Sequence, residues 1–94
     1  MISVVKRDGE VVDFNLVKIS DAISKAFTAT QKSYNDEIIS LLSLRVTSDF
    51  QNKIKGETIS VEDIQDSVEH VLEQTGYTDV AKAYILYRKN REKI

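Results

Sequence analysis

The sequence has no cysteine, no proline, one histidine and three glycines among its 94 residues. Without cysteine the chain has no disulfide, no thiolate metal site and no thiol nucleophile or thiyl radical. A single histidine does not make a metal site, and the carboxylates are better explained as helix caps and solvated helix faces, so we expect no metal bound by protein side chains. With so little glycine and proline the chain has no evident linker, and we expect a single domain over residues 1–94.

An excess of charge of one sign is also missing, because 13 basic residues stand against 15 acidic ones for a net charge of −2. This balance argues against broad electrostatic capture of nucleic acid, so any anion site must be a local cluster. The apolar run from Met1 to Val5 is followed at once by Lys6 and Arg7, which makes it too short for a signal peptide or a membrane span. We therefore expect a cytoplasmic protein that binds neither nucleic acid nor a membrane.

Two short valine-rich runs flank Asp8-Gly9, a dipeptide suited to a tight turn, and predict a β-hairpin over residues 2–14. Helical periodicity predicts four helices, over about residues 16–29, 36–53, 61–75 and 79–92. Asn15, Asn35, Ser60 and Thr78 are each placed to cap one of them. Thr58-Ile59 is a β-prone step that could add a third strand, so the predicted order is β-β-α-α-(β)-α-α.

The predicted second helix carries more than one apolar stripe. Its apolar residues are Ile38, Ile39, Leu41, Leu42, Leu44, Val46 and Phe50. A domain of this size cannot easily bury such a helix on all sides. The helix is therefore either central in a bundle or contributes a face to a protein partner.

Two adjacent cations, Lys6 and Arg7, end the first β-prone run just before the turn. A lysine supplies a point charge and an arginine a planar fork, which together suit a polyphosphate, although adjacent basic residues at a hairpin are also common as a solvated turn. Lys18 falls in the first turn of the next helix, where the helix N-terminus already carries partial positive charge and unpaired N–H groups. The three cations together predict one anion site. No glycine-rich phosphate loop is present, so phosphate binding would depend on side chains and helix ends.

A resemblance to a known family adds to this interpretation. The stretch from Val4 to Ala26 reads V-V-K-R-D-G-x(4)-F-N-x-x-K-I-x-x-A-I-x-x-A, and the C-terminal stretch from Ala83 to Arg91 reads A-Y-x-x-Y-R-x-x-R. Both resemble the ATP-cone family, the nucleotide-sensing domains at the N-terminus of ribonucleotide reductases, and the match covers essentially the whole chain. The resemblance implies an α+β, mainly α fold: a four-helix bundle capped by a small two- or three-stranded antiparallel sheet, with ATP or dATP bound beneath the hairpin.

The resemblance also implies which residues contact the nucleotide. These positions are Val5, Lys6, Arg7, Val12, Asn15, Lys18, Ile19, Val61, Gln65 and Lys89. Lys6, Arg7 and Lys89 match basic positions that reach the phosphates, whereas Val5, Val12 and Ile19 match positions near the base or sugar. Gln65 occupies a position that is a histidine in some relatives. Arg88 and Arg91 are basic neighbours of Lys89 with a weaker claim to a role.

Other chemistry-bearing residues have simpler explanations. His70 falls on the polar side of the third predicted helix, where a solvated surface histidine is more common than a ligand. Tyr77, Tyr84 and Tyr87 could stack on an adenine, but aromatic residues at helical spacing more often belong to the core.

The function implied by the resemblance is allosteric control of the overall activity of a ribonucleotide reductase, with ATP activating and dATP inhibiting. The effector would carry its own Mg²⁺. The expected partners are a catalytic domain or subunit of the reductase, with nucleotide-dependent oligomerisation, and the anaerobic glycyl-radical class is favoured. The chain by itself is not expected to be an enzyme, since a cysteine-free chain cannot carry the thiyl radical of the family's active sites; it is expected to be a regulatory fragment or a separate module.

Three alternatives stand beside this hypothesis. One is the ATP-cone of another nucleotide-responsive protein, such as a transcriptional repressor of reductase genes, although those repressors place zinc-binding cysteines ahead of the cone and here the cone begins at Met1. Another is a helical interaction domain without a ligand, which docks a partner through its second helix. The third is an ATP-hydrolysing enzyme, against which stand the absence of a P-loop and of a catalytic base beside the basic cluster.

Overall fold

The computed structural model describes the backbone of residues 2–92 and the side chains of residues 2–90. This part of the chain forms three short strands, four helices and one 3₁₀ turn. They are β1 (Ser3–Val5), β2 (Val11–Asp13), α1 (Leu16–Ala29), α2 (Asp36–Asp49), the 3₁₀ turn (Gln51–Lys53), β3 (Thr58–Ser60), α3 (Val61–Gln74) and α4 (Thr78–Glu92). The helices pack as a bundle and the sheet lies at one end of it, which confirms the predicted α+β class.

The three strands form a mixed sheet in the order β2-β1-β3. β1 and β2 pair antiparallel, with Val4 opposite Val12, and the turn between them passes through Gly9 at a φ of 89°. β3 joins the other edge of β1 in parallel, with Val4 opposite Ile59. The prediction of a purely antiparallel sheet was therefore wrong on this point. The short turn between β1 and β2 joins antiparallel strands, whereas the long connection through α1 and α2 lets the chain return in the same direction as β1.

Side-chain caps begin three of the helices where the sequence predicted them. Asn15 Oδ1 accepts a hydrogen bond from the Val17 amide, Asn35 Oδ1 from the Ile38 amide, and Ser60 Oγ from the Asp63 amide. Each bond satisfies one backbone donor that has no partner within the helix. Three positions of the polar pattern are thereby confirmed as helix starts. The prediction of Thr78 as the fourth cap was wrong, because Thr78 is already the first residue of α4.

The predicted second helix was too long at its C-terminal end. α2 stops at Asp49, and residues 51–53 form the separate 3₁₀ turn. The backbone changes course at Phe50, whose ring is fully buried and meets the Phe14 ring edge-on at a centroid distance of 5.7 Å. The change of course brings the chain back toward β1, where it enters the sheet as β3. Periodicity alone did not reveal this bend, because Phe50 also fits the apolar spacing of a continuing helix.

α2 has one buried and one exposed apolar side. It buries Ile39, Leu42 and Val46 in the core between the helices. On its other side Leu41 and Leu44 remain 53% and 59% exposed. No helix in the described part of the chain is long and apolar enough to cross a membrane.

Candidate functional site

A cavity of about 340 Å³ opens where the β1–β2 hairpin meets α1, α3 and α4. This volume falls within the range of small-molecule binding pockets. The lining residues are Val4, Lys6, Val12, Asp13, Phe14, Asn15, Lys18, Ile19, Asp21, Ala22, Lys25, Val61, Ile64, Gln65, Val68, Tyr84 and Tyr87. The strands β1 and β2 and the helices α1, α3 and α4 all contribute to it, so the cavity exists only when the hairpin is packed on the bundle.

Exposed lysines surround the mouth of the cavity. Lys6 follows the end of β1, Lys18 lies in the first turn of α1, and Lys25 lies two turns further along the same helix. Lys6 is paired with Glu10 at 3.4 Å, but both side chains are largely exposed, so the pair is weak and its amine can bind elsewhere. The first turn of α1 holds no acidic residue that would offset the positive end of the helix dipole. Amines and helix dipole together favour an anion at the mouth.

Arg7 reaches the cavity through a hydrogen bond to Gln65 on α3. Its Nη2 donates to Gln65 Oε1 at a distance of 2.5 Å. Gln65 is only 7% exposed. A guanidinium can only donate, so the amide oxygen must face Arg7 and the amide nitrogen of Gln65 is the atom left for another partner. The bond thus ties the end of β1 to α3 and fixes the orientation of a buried amide.

Tyr84 and Tyr87 bring the aromatic part of the lining from α4. Tyr84 is 3% exposed, and its ring lies 6.0 Å from that of Tyr87, centroid to centroid. Lys25 Nζ lies 6.0 Å from the centroid of the Tyr87 ring, a distance compatible with a weak cation–π contact. Burial raises the pKa of Tyr84, and the opposing effect of Arg88 is smaller, so the phenol is neutral at physiological pH. The α4 side of the cavity is therefore lined by aromatic rings, and the Tyr84 phenol adds an uncharged polar group there.

Most residues that the resemblance assigned to the nucleotide lie around this one cavity. Those that line it are Lys6, Val12, Asn15, Lys18, Ile19, Val61 and Gln65. Arg7 joins them through Gln65. Val5 and Lys89 are not part of the lining, and Lys89 is exposed on α4. The side chain of Arg91 lies outside the described residues.

Arg88 points to α3 instead and holds two of its carboxylates. Its Nη1 lies 2.8 Å from Asp66 Oδ1 and 3.2 Å from Glu69 Oε1. Burial works against the charge, but the hydrogen bonds to Asp66 and Glu69 outweigh it and raise the pKa of Arg88 above its ordinary value. Arg88 thus has a structural role in joining α4 to α3, and it does not line the cavity.

Sequence reasoning missed several lining residues. Lys25 could have been found, because Lys18, Ala22 and Lys25 recur at helical spacing on one face of α1. The tyrosines were assigned to the core, and Tyr84 does belong to it, but both also line the cavity. Asp13 and Asp21 gave no signal, since exposed carboxylates are common on strands and helices.

Comparisons with known proteins identify the family. The sequence model of the ATP cone domain family matches residues 2–93 of the chain. The chain is 41% identical over 97% of its length to the alpha subunit of ribonucleoside-diphosphate reductase from Chlamydia pneumoniae. It is 43% identical over 97% to the vitamin B12-dependent ribonucleoside-diphosphate reductase of Thermoplasma acidophilum, and 35% identical over 95% to the anaerobic ribonucleoside-triphosphate reductase of Haemophilus influenzae.

These three reductases are far larger than the chain, which spans 9% of the first and 12% of the other two. The three relatives are reductases of three different kinds, and the anaerobic kind that the sequence analysis favoured is one of them. What the three share with the chain is the matched domain, and the cavity described above lies within it. The chain therefore belongs to the ATP-cone family of nucleotide-binding regulatory domains.

Proposed function

We propose that this domain binds ATP and dATP in the cavity between the hairpin, α1, α3 and α4, and thereby controls the overall activity of a ribonucleotide reductase. The observation that carries the proposal is the gathering of Lys6, Lys18 and Lys25 around the mouth of a half-apolar cavity, in a chain whose net charge is −2. Dispersed cations would serve solubility alone. Cations gathered around one opening, with a helix N-terminus beside it, suit a triphosphate.

The two ends of the cavity suit the two ends of a nucleotide. The triphosphate would lie at the mouth, near Lys6, Arg7 and Lys18, and the nucleoside would lie among the apolar and aromatic residues further in. Val5 and Lys89 belong to the proposed site on the strength of the family resemblance. In our proposal the Mg²⁺ ion is carried by the nucleotide.

Regulation would follow from a difference in affinity. A ligand shifts a protein between two conformational or oligomeric states only to the extent that it binds one of them better. In our proposal ATP favours the active state of the reductase and dATP the inactive one, with a catalytic domain or subunit as the partner and oligomerisation as the response. The reductase names of the relatives support this choice of partner.

Calorimetric titration of the purified chain with ATP and with dATP tests the proposal. We expect micromolar or tighter binding of both nucleotides. Lys18→Ala should weaken it about tenfold, because it removes one charge-assisted contact with the triphosphate. Lys82→Ala is the matched control, since Lys82 is exposed on α4 away from the cavity. No binding of either nucleotide, or an equal effect of both variants, would contradict the proposal.

A second candidate function has one specific observation in its favour. Leu41 and Leu44 are exposed three residues apart on α2, away from the cavity, as in a helix that contacts a partner protein. In this case the domain would act by docking alone and would need no nucleotide. The same titration separates the two candidates, because a docking domain without a ligand gives no heat with ATP or dATP.

A further inference from the structure

Two polar groups of the cavity lining have no hydrogen-bond partner among the described residues. They are the Tyr84 hydroxyl and the Gln65 amide nitrogen, both on residues more than nine-tenths buried. Among the side chains of residues 2–90 neither atom makes a hydrogen bond, since Gln65 bonds only through its oxygen, to Arg7. Ser67 Oγ is both unpaired and fully enclosed by the described residues, whereas these two atoms are not fully enclosed. Both atoms therefore keep some accessible surface, and both residues line the cavity.

A polar group on a largely buried side chain is informative when no protein group pairs with it, because its hydrogen bond must then come from a ligand or water in the cavity. Leaving a buried donor or acceptor without a partner costs about as much as losing a hydrogen bond. A phenylalanine or a leucine would fill the same space without that cost. The nearby lining residues Ile64 and Val68 show that apolar side chains are accommodated on this wall. Two unpaired polar groups in an apolar surround therefore suggest a ligand that supplies the missing bonds.

The chemistry of the two groups defines what that ligand presents. Arg7 occupies Gln65 Oε1, so the amide offers only N–H donors to the cavity. The neutral phenol of Tyr84 can both donate and accept. Neither group carries a charge, unlike the lysines at the mouth. The match is a ligand part with adjacent hydroxyl, ring-nitrogen or amino groups, which is the nucleoside part of a nucleotide and not its phosphates.

We propose that Tyr84, with Gln65, forms a polar floor that hydrogen-bonds the sugar or base of the bound nucleotide, so that Tyr84 is a specificity-determining residue of the site. This inference rests on the proposed nucleotide-binding function. The inference adds Tyr84 to the proposed site and gives the nucleotide an orientation. The nucleoside lies inward against Tyr84 and Gln65, and the triphosphate points outward to Lys6 and Lys18. Arg7 links the two ends, because it orients the Gln65 amide and lies beside the phosphate-binding lysines.

Titrations of Tyr84→Phe with ATP and with inorganic tripolyphosphate test this orientation. The variant keeps the ring and loses one hydroxyl. We expect ATP to bind about three- to tenfold more weakly, the usual effect of one uncharged hydrogen bond, and tripolyphosphate to bind as it does to the unmodified chain. Lys18→Ala should weaken both ligands. Tyr77→Phe is the matched control, because Tyr77 packs against Phe27 outside the cavity and should change neither affinity.

The salt dependence of ATP binding gives a second measurement that does not need tripolyphosphate. Removing an ionic contact makes the affinity less sensitive to salt, whereas removing an uncharged hydrogen bond does not. Tyr84→Phe should therefore lower the affinity at every salt concentration by the same factor. Unchanged ATP affinity, or an equal loss for ATP and tripolyphosphate, would overturn the inference while leaving the nucleotide-binding proposal intact. Absence of ATP binding to the unmodified chain would overturn both.

Discussion

At the scale of single residues, neighbours in sequence have different roles because a helix directs them to different sides. Arg88 and Lys89 are adjacent basic residues of α4, and either could be a phosphate ligand on sequence grounds. The Arg88 side chain is only 14% exposed and is held between Asp66 and Glu69, whereas Lys89 is exposed. A residue already bonded to two carboxylates is poorly placed to bind an anion. Structural and ligand-binding roles are therefore expected to separate between these two positions.

Substitution of the pair tests this separation. We expect Arg88→Gln to lower the free energy of unfolding by about 1–2 kcal/mol, since the partly buried Glu69 and the exposed Asp66 lose their partner. ATP affinity should stay within about twofold of its starting value. Lys89→Gln should do the reverse, with unchanged stability and weaker ATP binding. Urea denaturation and calorimetry measure the two quantities. A loss of ATP affinity in Arg88→Gln without a loss of stability would assign the phosphate contact to Arg88.

At the scale of secondary-structure elements, the start of α1 serves both the fold and the site. Asn15 caps the helix by accepting a hydrogen bond from the Val17 amide, and the same residue lines the cavity. Lys18 follows in the first turn, so the cap, the helix dipole and the lysine are placed together by one local sequence. Because the element is local, the sequence alone was sufficient to predict it.

Asparagine-to-aspartate substitutions separate the two roles of this helix start. Aspartate caps helices as well as asparagine, so Asn15→Asp should leave the free energy of unfolding nearly unchanged. The added negative charge beside the phosphate site should weaken ATP binding severalfold, and less at high salt. Asn35→Asp is the matched control, because Asn35 caps α2 away from the cavity. Equal ATP affinities for the two variants would show that the triphosphate does not lie near the start of α1.

At the scale of the whole molecule, one core holds the bundle and the sheet together. It extends from Val4 in β1 to Tyr84 in α4, and its fully buried members include Ile23 in α1, Val46 in α2 and Leu72 in α3. Every helix and the central strand thus contribute to the same apolar cluster. The cavity lies beside this core, at the junction of the hairpin with three helices, so its shape depends on the packing of the whole domain.

Truncation of a core leucine tests this dependence. Leu72→Ala is expected to reduce the free energy of unfolding by about 2–5 kcal/mol, because it removes a fully buried side chain and leaves a void. That is a large part of the roughly 5–15 kcal/mol available to a small domain. Leu44→Ala, at a position 59% exposed on α2, should change it by less than about 0.5 kcal/mol. Urea denaturation compares them, and similar losses would mean that Leu44 is buried in solution, for example by self-association.

The features that the sequence determined by itself are the local ones. Local contacts between residues close in the chain can be predicted from the sequence. They include the caps at Asn15, Asn35 and Ser60, the turn at Asp8-Gly9 and the apolar stripes of the helices. The cations at the hairpin and at the start of α1 were visible for the same reason. The family resemblance added to them the set of residues expected at the nucleotide.

Tertiary structure alone decided what depends on contacts between distant segments. Three such contacts join residues far apart in sequence. They are the parallel pairing of β3 with β1, the packing of Phe50 on Phe14 at the end of α2, and the bond between Arg7 and Gln65. The unpaired hydroxyl of Tyr84 belongs with them, because an aromatic residue at helical spacing has the same pattern whether its polar atom is enclosed, bonded or open to a cavity. Only the packing of α4 against its neighbours distinguishes those three environments.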